Sequence, residues 1–88
     1  MAWTVSFEPR AEKELEKLDR QVQRRVVRFL RERIEAGSDP RDTGKPLHGE
    51  KRDLWRYRVG DYRIICRIED AELVVLVVRV SHRKDVYR

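Results

Sequence analysis

Three arginines, Arg56, Arg58 and Arg63, fall within the run LWRYRVGDYRIICRI (54–68), and their spacing brings them together. Gly60-Asp61, set between two alternating runs, predicts a hairpin with a two-residue turn and glycine first, the type II′ pattern. Such a turn pairs Val59 with Tyr62, Arg58 with Arg63, Tyr57 with Ile64 and Arg56 with Ile65. Side chains alternate along a strand, so Trp55, Tyr57, Val59, Tyr62, Ile64 and Cys66 share an apolar face. Arg56, Arg58 and Arg63 share the other face, joined by Arg67. Like charges placed directly opposite one another destabilise a sheet by a few tenths of a kcal/mol or more, and folding alone would favour Glu or Thr there. Either an anion pairs with these guanidinium groups, or Asp42, Glu50, Asp53 or Asp85 folds over to neutralise them. A phosphodiester backbone fits the first option, because arginine's planar fork suits bidentate phosphate contacts.

The run SHRKDVYR (81–88) supplies further chemistry. His82 could move a proton near neutral pH, Arg83 could bring charge to a strained phosphate, and Tyr87 could stack on an unpaired base. Arg67, Lys84 and Arg88 would add positive charge along a bound RNA. Each also has a plain structural explanation, as a turn histidine, a solvated cation or a packed tyrosine. His48 has no evident partner and is expected to be structural. No glycine-rich phosphate loop, HExxH, GxSxG or two-metal acidic set occurs. A nuclease built from these residues would therefore use no metal or other cofactor. The 2′-hydroxyl of RNA would attack the adjacent phosphate while arginines stabilise the developing charge. The single cysteine, Cys66, lies in an apolar strand and is expected to be a buried thiol.

These groups need a scaffold, and 88 residues allow one small domain (1–88). Charged residues make up 42% and hydrophobic ones 40%, with a net charge of +5. Residues 1–44 carry 10 basic and 9 acidic side chains, whereas residues 45–88 carry 11 and 7, so most of the excess lies in the second half. AWTVSF (2–7) alternates as a half-buried strand. Pro9 suits the first turn of a helix, whose Ala11, Leu15 and Leu18 recur at helical spacing. A second helix starts near Asp19, a plausible N-cap, with Val22, Val26, Phe29, Leu30 and Ile34 as its apolar stripe. Its other faces carry Arg20, Arg24, Arg25, Arg28, Arg31 and Arg33, interrupted by Glu32 and Glu35, as a solvated face or a docking face for an acidic partner would. Residues 38–53 read as a loop. The hairpin is followed by LVVLVVRV (73–80), apolar enough for a central strand. The order β-α-α-β-β-β predicts an α+β fold, a small antiparallel sheet with two helices packed on one face. No run approaches the roughly 18 apolar residues of a membrane span and no apolar segment follows Met1, so a cytoplasmic location is expected.

Taken in order, FEPRAEKELEKL, KPLHGEKRDLWRYRVGDYRIICRI and VVRVSHRKDVY resemble the RelE branch of the RelE/ParE toxin superfamily, including its R-V-G-D-Y-R core and HR…Y ending. The resemblance implies a toxin that enters the ribosomal A site and cuts mRNA there, leaving a 2′,3′-cyclic phosphate and a 5′-hydroxyl. It implies catalytic roles for Arg56, Arg58, Arg63 and Arg83, and a stacking role for Tyr87. Arg56 and Arg58 stand where the best-known relatives have lysines. Arginine, with a pKa above about 12, is a poor general base. Either Arg58 only stabilises charge and aligns the 2′-hydroxyl, or His82 takes over proton transfer. A RelB-like antitoxin is the implied protein partner, and DNA would be reached only through it. Two other readings of the same fold are a ParE-like gyrase inhibitor and a homologue that binds antitoxin or RNA without catalysis.

Overall fold

The structure, a computed structural model, describes residues 2–47 and 54–84. Five strands form one sheet in the order β1-β5-β4-β3-β2: β1 is Thr4–Phe7, β2 Lys45–Pro46, β3 Leu54–Val59, β4 Tyr62–Glu69 and β5 Val74–His82. Two helices, α1 (Pro9–Glu16) and α2 (Arg20–Phe29), connect β1 to the rest. The fold is α+β, as expected, but the sheet is mixed. β2 to β5 are antiparallel, whereas β1 runs parallel to β5, Thr4 beside Val74 and Phe7 beside Val77. Alternation identifies β1 as a strand but not its neighbour, which lies at the far end of the chain.

Pro9 opens α1 as the sequence predicts. Asp19 sits at the start of α2 without a side-chain cap; instead the Gln23 amide donates to the carbonyls of Leu18 (2.7 Å) and Glu16 (3.2 Å), which closes the corner between the helices. Val22, Val26, Leu30 and Ile34 repeat every four residues, a spacing that drifts on a 3.6-residue helix. The chain absorbs the drift by widening after α2: Leu30–Glu35 is a π-helical turn in which the Ala36 N–H reaches the Arg31 carbonyl. Val26, Leu30 and Ile34 all remain buried, against a sheet face made of Tyr57, Ile64, Cys66, Val75, Val77 and Val80.

The segment predicted as loop contains more order. Pro40–Asp42 forms a 3-10 turn and Lys45–Pro46 pairs with Trp55 and Arg56 of β3. Two β3 side chains hold it: Trp55 Nε1–H donates to the Thr43 carbonyl (2.8 Å) and the buried Tyr57 hydroxyl to the Pro40 carbonyl (2.6 Å). Gly44, at φ 81°, lets the backbone approach β3; a Cβ there would lie 2.5 Å from the Arg56 carbonyl. Among the described residues, no helix is long and apolar enough to cross a membrane.

Candidate RNA-binding face and its relatives

Every predicted pair of the hairpin is present: Val59 with Tyr62, Arg58 with Arg63, Tyr57 with Ile64 and Arg56 with Ile65. Gly60 has φ 58° while Asp61 stays at negative φ, as a type II′ turn requires. The α2 side chain Arg25 lies over this turn, its Nη2 3.1 Å from where a Cβ of residue 60 would be. The helix-facing side buries Tyr57, Ile64 and Cys66 completely. That burial pushes the Tyr57 phenol well above its usual 10.0 and the Cys66 thiol well above 9.0. A thiol held neutral in this way is an inert core group and not a nucleophile.

The other side carries the cations in rows across the sheet. One row runs Lys45, Arg56, Ile65, Arg79 and the next runs Arg58, Arg63, Ser81. Among the described residues neither Arg56 nor Arg58 has an ion-pair partner, and Asp42 contacts neither. Glu50, Asp53 and Asp85, the other candidates for neutralising the set, lie outside the described residues. Arg67 joins the same face one row on, exposed and 4.0 Å from Glu69. Lys45 belongs to this face and escaped the sequence reading, because a two-residue strand has no period to detect. Arg79 opposes Ile65, yet its Nε donates to Glu14 of α1 at 3.0 Å, so its charge is matched.

The bulge between Ile65 and Cys66 decides the placement of the C-terminal candidates. It leaves Val78 as an extra residue in β5, so Ser81 opposes Arg63 and His82 opposes Tyr62. Arg83 follows in a 3-10 turn beyond the strand register. Its N–H donates to the Asp61 carbonyl (2.7 Å), and its guanidinium lies 4.0 Å from the Asp61 carboxylate. His82 falls on the side opposite Ser81, in edge-to-face contact with the Tyr62 ring (centroids 5.1 Å apart). Its Nδ1 accepts the Lys84 N–H at 3.2 Å. The structure thus brings Arg56, Arg58, Arg63 and Arg67 onto one face, ties Arg83 to Asp61 of the adjoining turn and sets His82 apart at the end of the sheet. Tyr87, Arg88 and His48 lie outside the described residues. No three His, Cys, Asp or Glu side chains among the described residues converge on a metal-binding geometry.

Residues 5–87 match the family described as the ParE toxin of type II toxin–antitoxin system, parDE. Toxin RelG of Mycobacterium tuberculosis is 36% identical over 88 residues, spanning 100% of this chain and 99% of RelG. In the crystal structure of the M. tuberculosis RelBE2 toxin–antitoxin complex, a chain 34% identical superposes with a TM-score of 0.84, covering 94% of this chain and 93% of that one. The isolated Escherichia coli RelE toxin is 29% identical and superposes at 0.73, covering 98% and 92%. The family match, the identity to RelG and the superposition on the RelBE2 chain show that this chain belongs to the RelE/ParE superfamily, as the toxin of a type II toxin–antitoxin system.

Proposed function

We propose that this toxin is a ribosome-dependent endoribonuclease that cuts mRNA in the A site. The observation that carries the reading is Arg58 set directly opposite Arg63, with Arg56 on the same side and Arg83 tied to Asp61 of the adjoining turn. Arginines gathered there against their mutual repulsion suit a phosphate whose charge grows during reaction. The 2′-oxygen of the message attacks phosphorus, the P–O5′ bond breaks, and a 2′,3′-cyclic phosphate and a 5′-hydroxyl result. The nucleophile belongs to the substrate, so the step calls for no metal. Arg58 and Arg63 align the phosphate and stabilise the phosphorane, while the 2′ proton passes to solvent. His82 with its Nδ1 occupied carries the neutral ring's proton on Nε2. It lies on the Tyr62 side of the sheet, away from Arg58 and Arg63, so the leaving 5′-oxygen takes its proton from solvent. Tyr87 would stack on the splayed base, with Arg67, Lys84 and Arg88 along the strand.

Growth inhibition follows from loss of message in the cytoplasm. Neutralisation falls to a RelB-like antitoxin, the partner present in the M. tuberculosis and E. coli complexes, and DNA is contacted only through that partner. The test is a purified translation system with a defined message, with and without ribosomes, mapping 5′ ends beside an Arg63→Ala, Arg83→Ala control. Codon-phased cuts that need ribosomes and vanish in the control are expected. A second reading, inhibition of DNA gyrase, is favoured by the match to a family described by its ParE toxin. Loss of supercoiling activity without RNA cuts would move the protein there, and silence in both assays would leave a binding-only homologue.

A further inference from the structure

β1 ends at Phe7, opposite Val77, but β5 continues to His82. Beyond Val77 no strand among the described residues lies on the β1 side of β5, and this stretch also contains the bulge. One side chain fills the gap. The Glu14 carboxylate of α1 accepts the Val80 N–H through Oε1 (2.8 Å) and the Arg79 Nε–H through Oε2 (3.0 Å). Arg10 adds a third, weaker contact at 3.9 Å. Glu14 is only 23% exposed, so these charge-assisted bonds are partly shielded from water.

The register shows what the latch protects. With the bulge, Ser81 opposes Arg63 and His82 opposes Tyr62, and the Arg83 N–H just beyond them reaches the Asp61 carbonyl of the β3–β4 turn. Paired without it, Arg63 would oppose Val80, and Ser81 and His82 would exchange sides, because a one-residue slip reverses every side chain. Val80, 3% exposed, opposes that slip with its side chain, and Glu14 opposes it through the backbone of the same residue.

We infer that Glu14 is a positioning residue: it holds the bulged end of β5 in the register that sets Ser81 opposite Arg63 and ties Arg83 to the β3–β4 turn. The catalytic arm of the test rests on the endoribonuclease reading, whereas the exchange arm does not. Amide hydrogen exchange is measured on the full chain for wild type, Glu14→Ala and Glu14→Gln, alongside single-turnover cleavage and ribosome binding. In Glu14→Ala the Arg83 amide should exchange about tenfold faster relative to the hairpin amides. Cleavage should slow about tenfold or more with ribosome binding unchanged, as expected for a displaced group. Glu14→Gln keeps a neutral acceptor for Val80, and both effects should shrink to about twofold. Arg83 and hairpin amides accelerating together, or no change in their ratio, would overturn the inference, as would Glu14→Gln behaving like Glu14→Ala. Should Glu14→Ala fail to fold, the same amide ratio in Glu14→Gln decides: a rise supports the latch and no rise defeats it. A wild-type protein that cuts no RNA would count against the endoribonuclease reading alone, with the exchange ratio still deciding the role of Glu14.

Discussion

The two faces of the β3–β4 hairpin share one backbone and obey opposite rules. On the helix side, Tyr57, Ile64 and Cys66 are wholly buried, and every choice serves packing. On the other side, Arg56, Arg58 and Arg63 occupy the intervening positions, where each neighbour worsens the electrostatics of the next. The first face explains why the chain folds; the second gathers like charges that packing alone does not call for. A natural sequence breaks local consistency at functional sites, and here the break follows a strict alternation, so it can be assigned residue by residue.

Mutations can test this division. Arg63→Ala should have the largest effect on function, about 10²-fold or more lost in cleavage by analogy with removing one transition-state donor. Thermal unfolding of the same variant should be unchanged or slightly higher; loss of the fold would show that the basic face is structural. On the opposite face, Tyr57→Phe removes the bond to the Pro40 carbonyl and leaves a buried acceptor unmatched. It should destabilise the protein by about 1–3 kcal/mol in denaturant titration while leaving activity per folded molecule intact.

The buried face also titrates. Tyr57 and Cys66 are held neutral by burial, with folded values raised above the ordinary 10.0 and 9.0. Their contribution is complete below pH 9 and is lost as the pH rises through and beyond those ordinary values. Stability followed by circular dichroism should therefore fall on the alkaline side, and Cys66→Ala should begin that fall at higher pH. The smallest effect lies away from both faces, at the exposed bidentate pair of Arg41 and Asp70 (2.8 and 2.9 Å). The Arg41 hydrogen bond holds the Asp70 carboxyl below its usual 3.8, so its contribution is present above that value and lost as the pH falls below it. Arg41→Ala should lower the melting temperature marginally at neutral pH, with the difference vanishing in acid.

What could be read from the sequence was local. A two-residue turn fixes its own register, so all four predicted cross-strand pairs of the hairpin occur, and with them the shared side of Arg56, Arg58 and Arg63. Everything illegible depended on residues distant in the chain or on a departure from regular period. The parallel neighbour of β1, the bulge at Val78 that sets Ser81 opposite Arg63, and the arrival of Lys45 beside Arg56 belong to that class. The widened turn after α2 lies between: the four-residue repeat of Val22, Val26, Leu30 and Ile34 is visible in the sequence, but the turn that relieves its drift depends on packing against the distant sheet.

The parallel pairing of β1 with β5 also has a kinetic consequence. Thr4 meets Val74, and the bond between Glu14 and Val80 spans 66 positions. Closing such a loop costs entropy before any contact rewards it, which slows folding in topologies of high contact order. The β3–β4 hairpin can form early from its own turn, whereas β1 must wait for β5. Mutations such as Val5→Ala should accordingly accelerate unfolding with little change in the folding rate, and Ile64→Val should act on the folding limb of the chevron. The basic face would then be assembled on the early-forming part of the molecule, and the late-docking strand would lock it.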